Sequence, residues 1–211
     1  MQLIHFFNVI PEPLADSPNT GLIWRQNRVF FKANNYVVLA GSGRGKTTLI
    51  NIIGGTRSDY RGDAFFDEVN LRDIQPDAFA NIRARQISVL HQDLRLFSEL
   101  TGKENIAMNP GNDKDEAYIE KMAARMGVLP QLDKPCGRMS LGQQQRVAII
   151  RALVRPFEWL LLDEPFSHLD AINAKMAMDC IAEIANERGA GIIATSLGNT
   201  EMFNGFEMLE L

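Results

Sequence analysis

Gly41, Ser42, Gly43, Arg44 and Gly45 stand directly before Lys46, Thr47 and Thr48. Apolar residues precede this glycine turn, Tyr36-Val-Val-Leu39, and follow it, Leu49-Ile-Asn-Ile-Ile53. The spacing therefore predicts strand, glycine loop and helix in that order. In such a loop successive backbone N–H groups point at an anion, and the helix N-terminus behind them adds partial positive charge. A lysine at the offset of Lys46 reaches β- and γ-phosphates, and the Thr47 hydroxyl is placed to bind Mg²⁺. Ala40 occupies the first position of the G-x-x-x-x-G-K-[ST] pattern, where glycine is usual. Close approach to phosphate falls at Gly43 and Gly45, which are intact. These residues predict a nucleotide site.

A second chemical signal is Leu160-Leu-Leu-Asp163-Glu164-Pro165. An acidic pair at the C-terminal end of a buried strand stands where α/β sheets place their ligands. Asp163 can hold the hydration shell of Mg²⁺ against a triphosphate, and Glu164 can act as general base on the attacking water. A strand-ending turn would explain Asp-Glu-Pro by itself; beside a phosphate loop the catalytic reading is preferred.

The elements that must position these groups follow from periodicity and punctuation. Strands are expected at 3–10, ended by Pro11 and Pro13, and at 22–24 and 28–31 as an antiparallel hairpin turning at Gln26-Asn27. A polar turn is expected at 15–21, a strand at 64–66, a helix at 76–85 and a strand at 87–90. The chain becomes helical from about Asn112, with Ile119, Met122, Ala123 and Met126 on one face of a helix over 115–126. A Pro/Gly-rich loop at 130–138 leads to a long helix capped by Ser140 and stopped at Arg155-Pro156. A fully buried strand at 159–162, a helix at 171–187 capped by Asp170, a strand at 191–195, a short helix at 199–203 and a strand at 206–211 complete the reading. Strands alternating with helices predict a parallel α/β core, with 93–155 as a helical insertion.

Composition bounds the alternatives. The chain has 211 residues, 45% hydrophobic and 23% charged, with net charge −4. That mild acidity argues against a broad nucleic-acid surface. Cys136 and Cys180 are isolated, with no Cys or His at metal-ligand spacing, so reduced thiols are expected and neither a disulfide nor a zinc site. The first ten residues lack the basic start and long apolar core of a leader and read as a strand. No apolar run reaches the length of about 18 residues that spans a bilayer, so a membrane role would come through a partner.

The motifs, in order, resemble the ATP-binding subunits of ABC transporters across nearly the whole chain. Ala40 to Thr48 resembles the Walker A loop, Gln92 the Q-loop glutamine and Ser140-Leu-Gly-Gln-Gln-Gln-Arg146 the signature sequence. Leu161-Leu-Asp-Glu-Pro165 resembles the Walker B strand and Ser167-His-Leu-Asp170 the D-loop. The resemblance implies a P-loop NTPase fold of ABC type. That is a mostly parallel core sheet, an N-terminal antiparallel β subdomain and a helical subdomain between Q-loop and signature. It implies one domain over 1–211, with core 1–92 and 156–211 and helical subdomain 93–155.

It also implies ATP and Mg²⁺ as cofactors, with Gly41, Ser42, Gly43, Arg44, Gly45, Lys46, Thr47 and Thr48 on the nucleotide. Thr47, Gln92 and Asp163 would hold the metal; Glu164, Gln92 and Ser196 would serve hydrolysis. Two subunits, as homodimer or pseudo-dimer, would face head to tail, so that Ser140, Gly142 and Gln143 meet the γ-phosphate of the other. The implied partner is an integral-membrane transporter subunit, and the implied place the cytoplasmic face of the plasma membrane. The segment 97–106 resembles the part that grips that partner, although buried helix packing explains it equally well. Compact length and Glu104-Asn105-Ile106-Ala107 look similar to the lipoprotein-release, cell-division and macrolide-export branch, and short importer subunits resemble it too.

Three positions depart from the family. Leu141 stands where the signature usually has glycine, and Thr195-Ser196 where a Thr-His pair is usual. The adenine-stacking aromatic after the first strand is missing, with Trp24 as a candidate substitute or a core residue. Ser196 and Leu141 favour a second reading, an ATP-dependent clamp that hydrolyses slowly; Glu164 speaks against it. His91 reads as a packing residue, His168 as a solvated or partner-facing loop residue, and Arg44 as solvated or phosphate-pairing. A relative acting in DNA repair is disfavoured because no coiled-coil or zinc insertion separates loop and signature.

Overall fold

The computed structural model describes residues 1–16, 21–108, 115–198 and 200–211. In chain order it contains β1 (Leu3–Pro11), β2 (Asn27–Phe31), β3 (Asn35–Leu39), α1 (Lys46–Ile53), β4 (Tyr60–Phe66) and β5 (Val69–Asn70). Then come α2 (Pro76–Arg85), β6 (Ile87–Leu90), α3 (Gly102–Ala107), α4 (Glu116–Arg125) and α5 (Leu141–Val154). The chain continues with β7 (Trp159–Asp163), α6 (Ala171–Glu187), β8 (Gly191–Ser196) and β9 (Glu207–Glu210). Two sheets result: a four-stranded one ordered β2-β1-β4-β5, paired antiparallel, and a five-stranded one ordered β6-β7-β8-β3-β9, paired parallel.

The parallel sheet is the frame of the site. Every residue of β7 and of β8 is buried, as continuous apolar runs between helices require. One core lies between this sheet and α5, α4 and α6, with Leu160, Ile192, Val147 and Ile181 among its fully buried side chains. A second fills the space between the two sheets around α1, where Phe6, Trp24, Phe30, Tyr36 and Leu49 meet. α3 and α4 pack on α5, so the α-helices described between β6 and β7 form one packed group.

Two expectations are corrected. Residues 22–24 do not form a hairpin with 28–31. Asn27–Phe31 pairs instead with β1, Leu3 opposite Phe31 through Phe7 opposite Asn27. The nine-residue β1 offers a longer partner than three residues could, and residues 21–25 run as turns, with Arg25 at φ 57, that tuck Ile23 and Trp24 into the core. The short helix expected at 199–203 is replaced, over the described residues 200–206, by two tight turns, with Phe203 N–H donating to Thr200 O and Phe206 N–H to Phe203 O. The 17–20 part of the turn expected at 15–21, the onset of helix at Asn112, and Asn199 lie outside the described residues.

α3 is the element that periodicity overlooks. Thr101 caps it, accepting from Glu104 N–H, while the Glu104 carboxylate accepts from Thr101 N–H at 2.8 Å. Buried Asn105 then knots the preceding loop. Its Nδ2 donates to the carbonyls of Phe97 (3.0 Å), Leu100 (3.2 Å) and Thr101 (3.0 Å), and its Oδ1 accepts from Phe97 N–H (2.8 Å). The knot leaves Phe97 and, after α3, Met108 exposed at 57% and 55%. Among the described residues no helix is long and apolar enough to cross a membrane.

Asn105→Leu keeps the size of the side chain and strands the Phe97 N–H, while the three loop carbonyls keep their backbone donors, Leu100, Cys136 and Asn105 N–H. It is expected to lower the unfolding free energy by about 1–3 kcal/mol, read as a lower urea midpoint at unchanged m-value in equilibrium unfolding. Burial pushes both thiols up, Cys136 beside Asn105 and Cys180 on α6. The folded chain thus keeps protons that the unfolded chain releases near the ordinary thiol value of about 8.5. That contribution to stability is complete below the ordinary value and is lost as pH rises through the elevated folded values. The urea midpoint is expected to fall above about pH 8.5, less steeply in Cys136→Ala/Cys180→Ala, and thiol reagents are expected to label only the unfolded chain.

Candidate active site

The glycine loop leaves β3 and enters α1 with its N-cap at Gly45 in left-handed conformation, φ 99. A Cβ at Gly45 would stand 2.9 Å from Leu14 and 3.2 Å from the Trp24 ring, so that position admits only glycine. Gly43 is also left-handed, φ 73. Ala40, by contrast, is not among the residues of positive φ, and its N–H donates to Ser196 O at 3.2 Å. The missing first glycine therefore costs the loop nothing. Gly41, Ser42, Gly43 and Arg44 are exposed, Thr47 is exposed and Thr48 half-buried at the start of α1.

Lys46 is buried and turned inward, its Nζ donating to Ala40 O (2.8 Å) and Gly41 O (3.1 Å) and standing 3.2 Å from Glu164 Oε1. Gln92, which follows β6, donates from Nε2 to Glu164 Oε2 at 3.4 Å. Both carboxylate oxygens of Glu164 are thus engaged. The backbone of Glu164 has φ 50, a left-handed conformation that costs a non-glycine residue about 1 kcal/mol or more. Its N–H donates to Thr195 Oγ1 (3.1 Å), and the Thr195 hydroxyl donates in turn to Asp163 Oδ1 (2.7 Å).

Asp163 is fully buried, and its Oδ2 has no hydrogen-bond partner among the described residues. A bare carboxylate oxygen in such a place is costly unless something cationic or protic meets it. No group of three or more His, Cys, Asp or Glu side chains could cage a metal among the described residues. The donor set of Thr47 hydroxyl, Gln92 amide and one Asp163 oxygen fits a hard divalent cation whose remaining ligands are water and phosphate.

Three cavities surround these groups. One of about 230 Å³ lies between the loop and the aliphatic wall of Pro11, Pro13 and Leu14, reaching Lys46, Gln92 and Glu164. A second of about 430 Å³ opens beside Asp163, lined by Thr47, His91, Gln92, Asp163 and His168. Burial, with Arg95 and Arg151 near, holds His91 down to about 4, so its ring is neutral at pH 7. The third, about 330 Å³, is lined by Glu164, Phe166, Ser196, Leu197 and Met202. Ser196 is therefore beside Glu164 and not in either cavity at the loop; its Oγ accepts from Gly198 N–H at 3.3 Å.

Ser140, Gly142 and Gln143 line neither cavity at the loop. Ser140 caps α5 in a reciprocal box, its Oγ accepting from Gln143 N–H (3.3 Å) and its N–H donating to Gln143 Oε1 (3.0 Å). A Cβ on Gly142 would stand 2.9 Å from His168 O, so the helix approaches the 167–170 turn as only glycine permits. Leu141 points to solvent, 56% exposed. Trp24 is 2% exposed and stacks on Phe6 at 6.2 Å, which removes it as a platform for a base. The role of Thr195 and the aliphatic wall are what motif reading overlooks. Thr195 is named by the Thr-Ser pair, but its part in the site emerges only because β8 runs between β7 and β3, setting Thr195 opposite Asp163.

The family model of the ABC transporter matches residues 27–167. The thiamine import ATP-binding protein ThiQ of Haemophilus ducreyi is 35% identical over 162 residues, covering 74% of this chain and 73% of that protein. The macrolide export ATP-binding/permease protein MacB of Syntrophobacter fumaroxidans is 35% identical over 167 residues, 75% of this chain and 23% of that one. The chain spans about half the length, 51%, of an uncharacterized ABC transporter ATP-binding protein of Mycobacterium tuberculosis, at 33% identity over 77% of this chain. Among solved structures, the dimeric MJ0796, a bacterial ABC transporter cassette, superposes with TM-score 0.82 at 22% identity, covering 98% of this chain and 94% of that one. By that family match, with loop, signature and acidic pair following one another along the sequence, the chain belongs to the ABC transporter family as one of its ATP-binding subunits.

Proposed function

We propose that the chain binds Mg-ATP, pairs head to tail with a second ATP-binding subunit and hydrolyses the nucleotide to drive an integral-membrane partner. The observation that carries this reading is the convergence of Lys46, Gln92, Asp163 and Glu164 on one loop. In the proposed cycle the phosphates lie on Gly41 to Thr48, with the base against Pro11, Pro13 and Leu14. Lys46 exchanges its carbonyl and carboxylate partners for β- and γ-phosphate oxygens, which frees Glu164. Glu164 then orients a water and takes its proton as that water attacks the γ-phosphorus, while the P–O bond to the β,γ-bridging oxygen breaks and its electron pair leaves with ADP.

Thr47, Gln92 and Asp163 hold Mg²⁺ in this reading; the ion, when bound, would neutralise phosphate charge. Ser140, Gly142 and Gln143 of one subunit meet the γ-phosphate held by the other, using the N–H groups and dipole of the α5 N-terminus. Ser196 would serve hydrolysis through its hydroxyl, from the cavity that it lines with Glu164. The whole chain acts as one ATP-binding domain, with 93–155 as a helical subdomain. Phe97 and Met108, exposed beside the Asn105 knot, support contact with the membrane partner from the cytoplasmic face. No nucleic acid takes part. A second reading, a clamp that hydrolyses slowly, is favoured by the position of Ser196 outside the cavities at the loop.

Phosphate release at saturating Mg-ATP tests the choice, with light scattering to follow dimerisation. Glu164→Gln is expected to lower kcat by on the order of 10²–10⁴ while still forming an ATP-dependent dimer. A wild-type chain that dimerises on ATP yet releases no phosphate, alone or with its membrane partner, would establish the clamp. Thr195→Val removes the donor to Asp163 and the acceptor for Glu164 N–H. It is expected to raise the Mg²⁺ concentration at half-maximal turnover about 10- to 100-fold, read from a Mg²⁺ titration of phosphate release.

A further inference from the structure

Gln145 lies on α5, five residues beyond the Ser140 cap, and is fully buried, yet its side chain meets no cavity at the loop. Its amide is spent on the turn that carries Glu164. Nε2 donates to Pro165 O at 2.6 Å and to Glu164 O at 3.3 Å. Oε1 accepts from His168 N–H at 3.2 Å, from His168 Nδ1 at 2.8 Å and from the Ser167 hydroxyl at 3.4 Å. Because an amide oxygen only accepts, the ring of His168 carries its proton on Nδ1 in this contact.

Two buried side chains therefore hold the strained residue from opposite sides. Thr195 of β8 takes its N–H, and Gln145 of α5 takes its carbonyl and the next one. Without them a left-handed glutamate before proline would relax, since that backbone is held only by its surroundings. Gln145 also binds both sides of the turn, 164–165 and 167–168, to the same helix whose first residues are Leu141 and Gly142. A shift of α5 is thus transmitted to the Glu164 backbone by direct hydrogen bonds.

We propose that Gln145 is the positioning residue of Glu164, and that through it the placement of α5, the helix that faces the partner's nucleotide, sets the placement of the base. The proposal rests on the ATPase reading above for its kinetic consequence, and on hydrogen bonds alone for its structural one. A displacement of about 1 Å at a reacting group costs on the order of 10²-fold in rate.

The test uses Gln145→Met, which keeps the volume of the side chain and removes its polar atoms, and Gln145→Glu, which keeps the acceptor for His168 and loses the donor to 164–165. With wild-type chain as reference, both are expected to lower kcat about 100-fold while the Kd for ATP without Mg²⁺ stays within about threefold. Gln145→Met added to Glu164→Gln is expected to cost nothing further, because a positioning residue has no work once the base is gone. Amide hydrogen exchange is expected to show His168 N–H opening at least about tenfold faster in Gln145→Met and unchanged in Gln145→Glu. Should Gln145→Met fail to fold, Gln145→Glu carries the kinetic arm. A kcat within threefold of wild type in a folded variant overturns the proposal, as does a full additive loss in the Glu164→Gln background. If wild type releases no phosphate, the ATPase reading falls by itself. Exchange at His168 then decides the structural claim, faster opening in Gln145→Met supporting it and unchanged protection overturning it.

Discussion

The contact of Lys46 with Glu164, 3.2 Å apart and both more than nine-tenths buried, is what the rest of the site is arranged around. Taking two charges out of water costs several kcal/mol per ion, and their attraction repays this only when further hydrogen bonds complete each group. Here they do: Ala40 and Gly41 carbonyls complete the lysine, and Gln92 takes the second carboxylate oxygen. The pair can exist only because β3 and β7 end at the same level of one parallel sheet. β8 between them fixes that level, with Leu39 opposite Ser196 and Asp163 opposite Thr195.

That placement leaves Oδ2 of Asp163 bare among the described residues. Glu164 meets cationic and amide donors, whereas Asp163 meets the Thr195 hydroxyl. Adjacent carboxylates are thereby given different surroundings, and different surroundings are how two like groups take up different work. Glu164 is paired with Lys46 of the glycine loop, and Asp163 faces the cavity it shares with Thr47 and Gln92.

The α5 face belongs to a different part of the molecule. Ser140, Gly142 and Gln143 are folded into a well-made helix cap but line neither cavity at the loop, so within one chain they reach no part of the Lys46 site. The proposed head-to-tail pairing gives them a ligand, and the tight packing of Gly142 on the 167–170 turn joins that face to the acidic strand. Leu141, which stands in place of a second glycine, points outward and leaves this packing undisturbed.

Much of this was legible in the chain itself. The glycine loop, the acidic pair after an apolar run and the capped helices at Ser140 and Asp170 are local patterns, decided by residues within a few positions of one another. The hairpin assigned to 22–24 failed for the complementary reason. Strand pairing is a choice among distant partners, and β1 outcompeted a three-residue neighbour. Trp24 reads from the sequence as either a base platform or a core residue, and the fold decides for the core, behind Gly45. Sequence alone determined that a glycine loop with its lysine, an acidic pair at the end of an apolar strand and a capped helix at Ser140 are present, because each is written in contiguous residues. Only the tertiary structure decided that Thr195 and Gln145 hold the base in a strained turn and that Asp163 keeps one oxygen bare. Those facts depend on strand order and helix packing, which bring together side chains up to 32 residues apart.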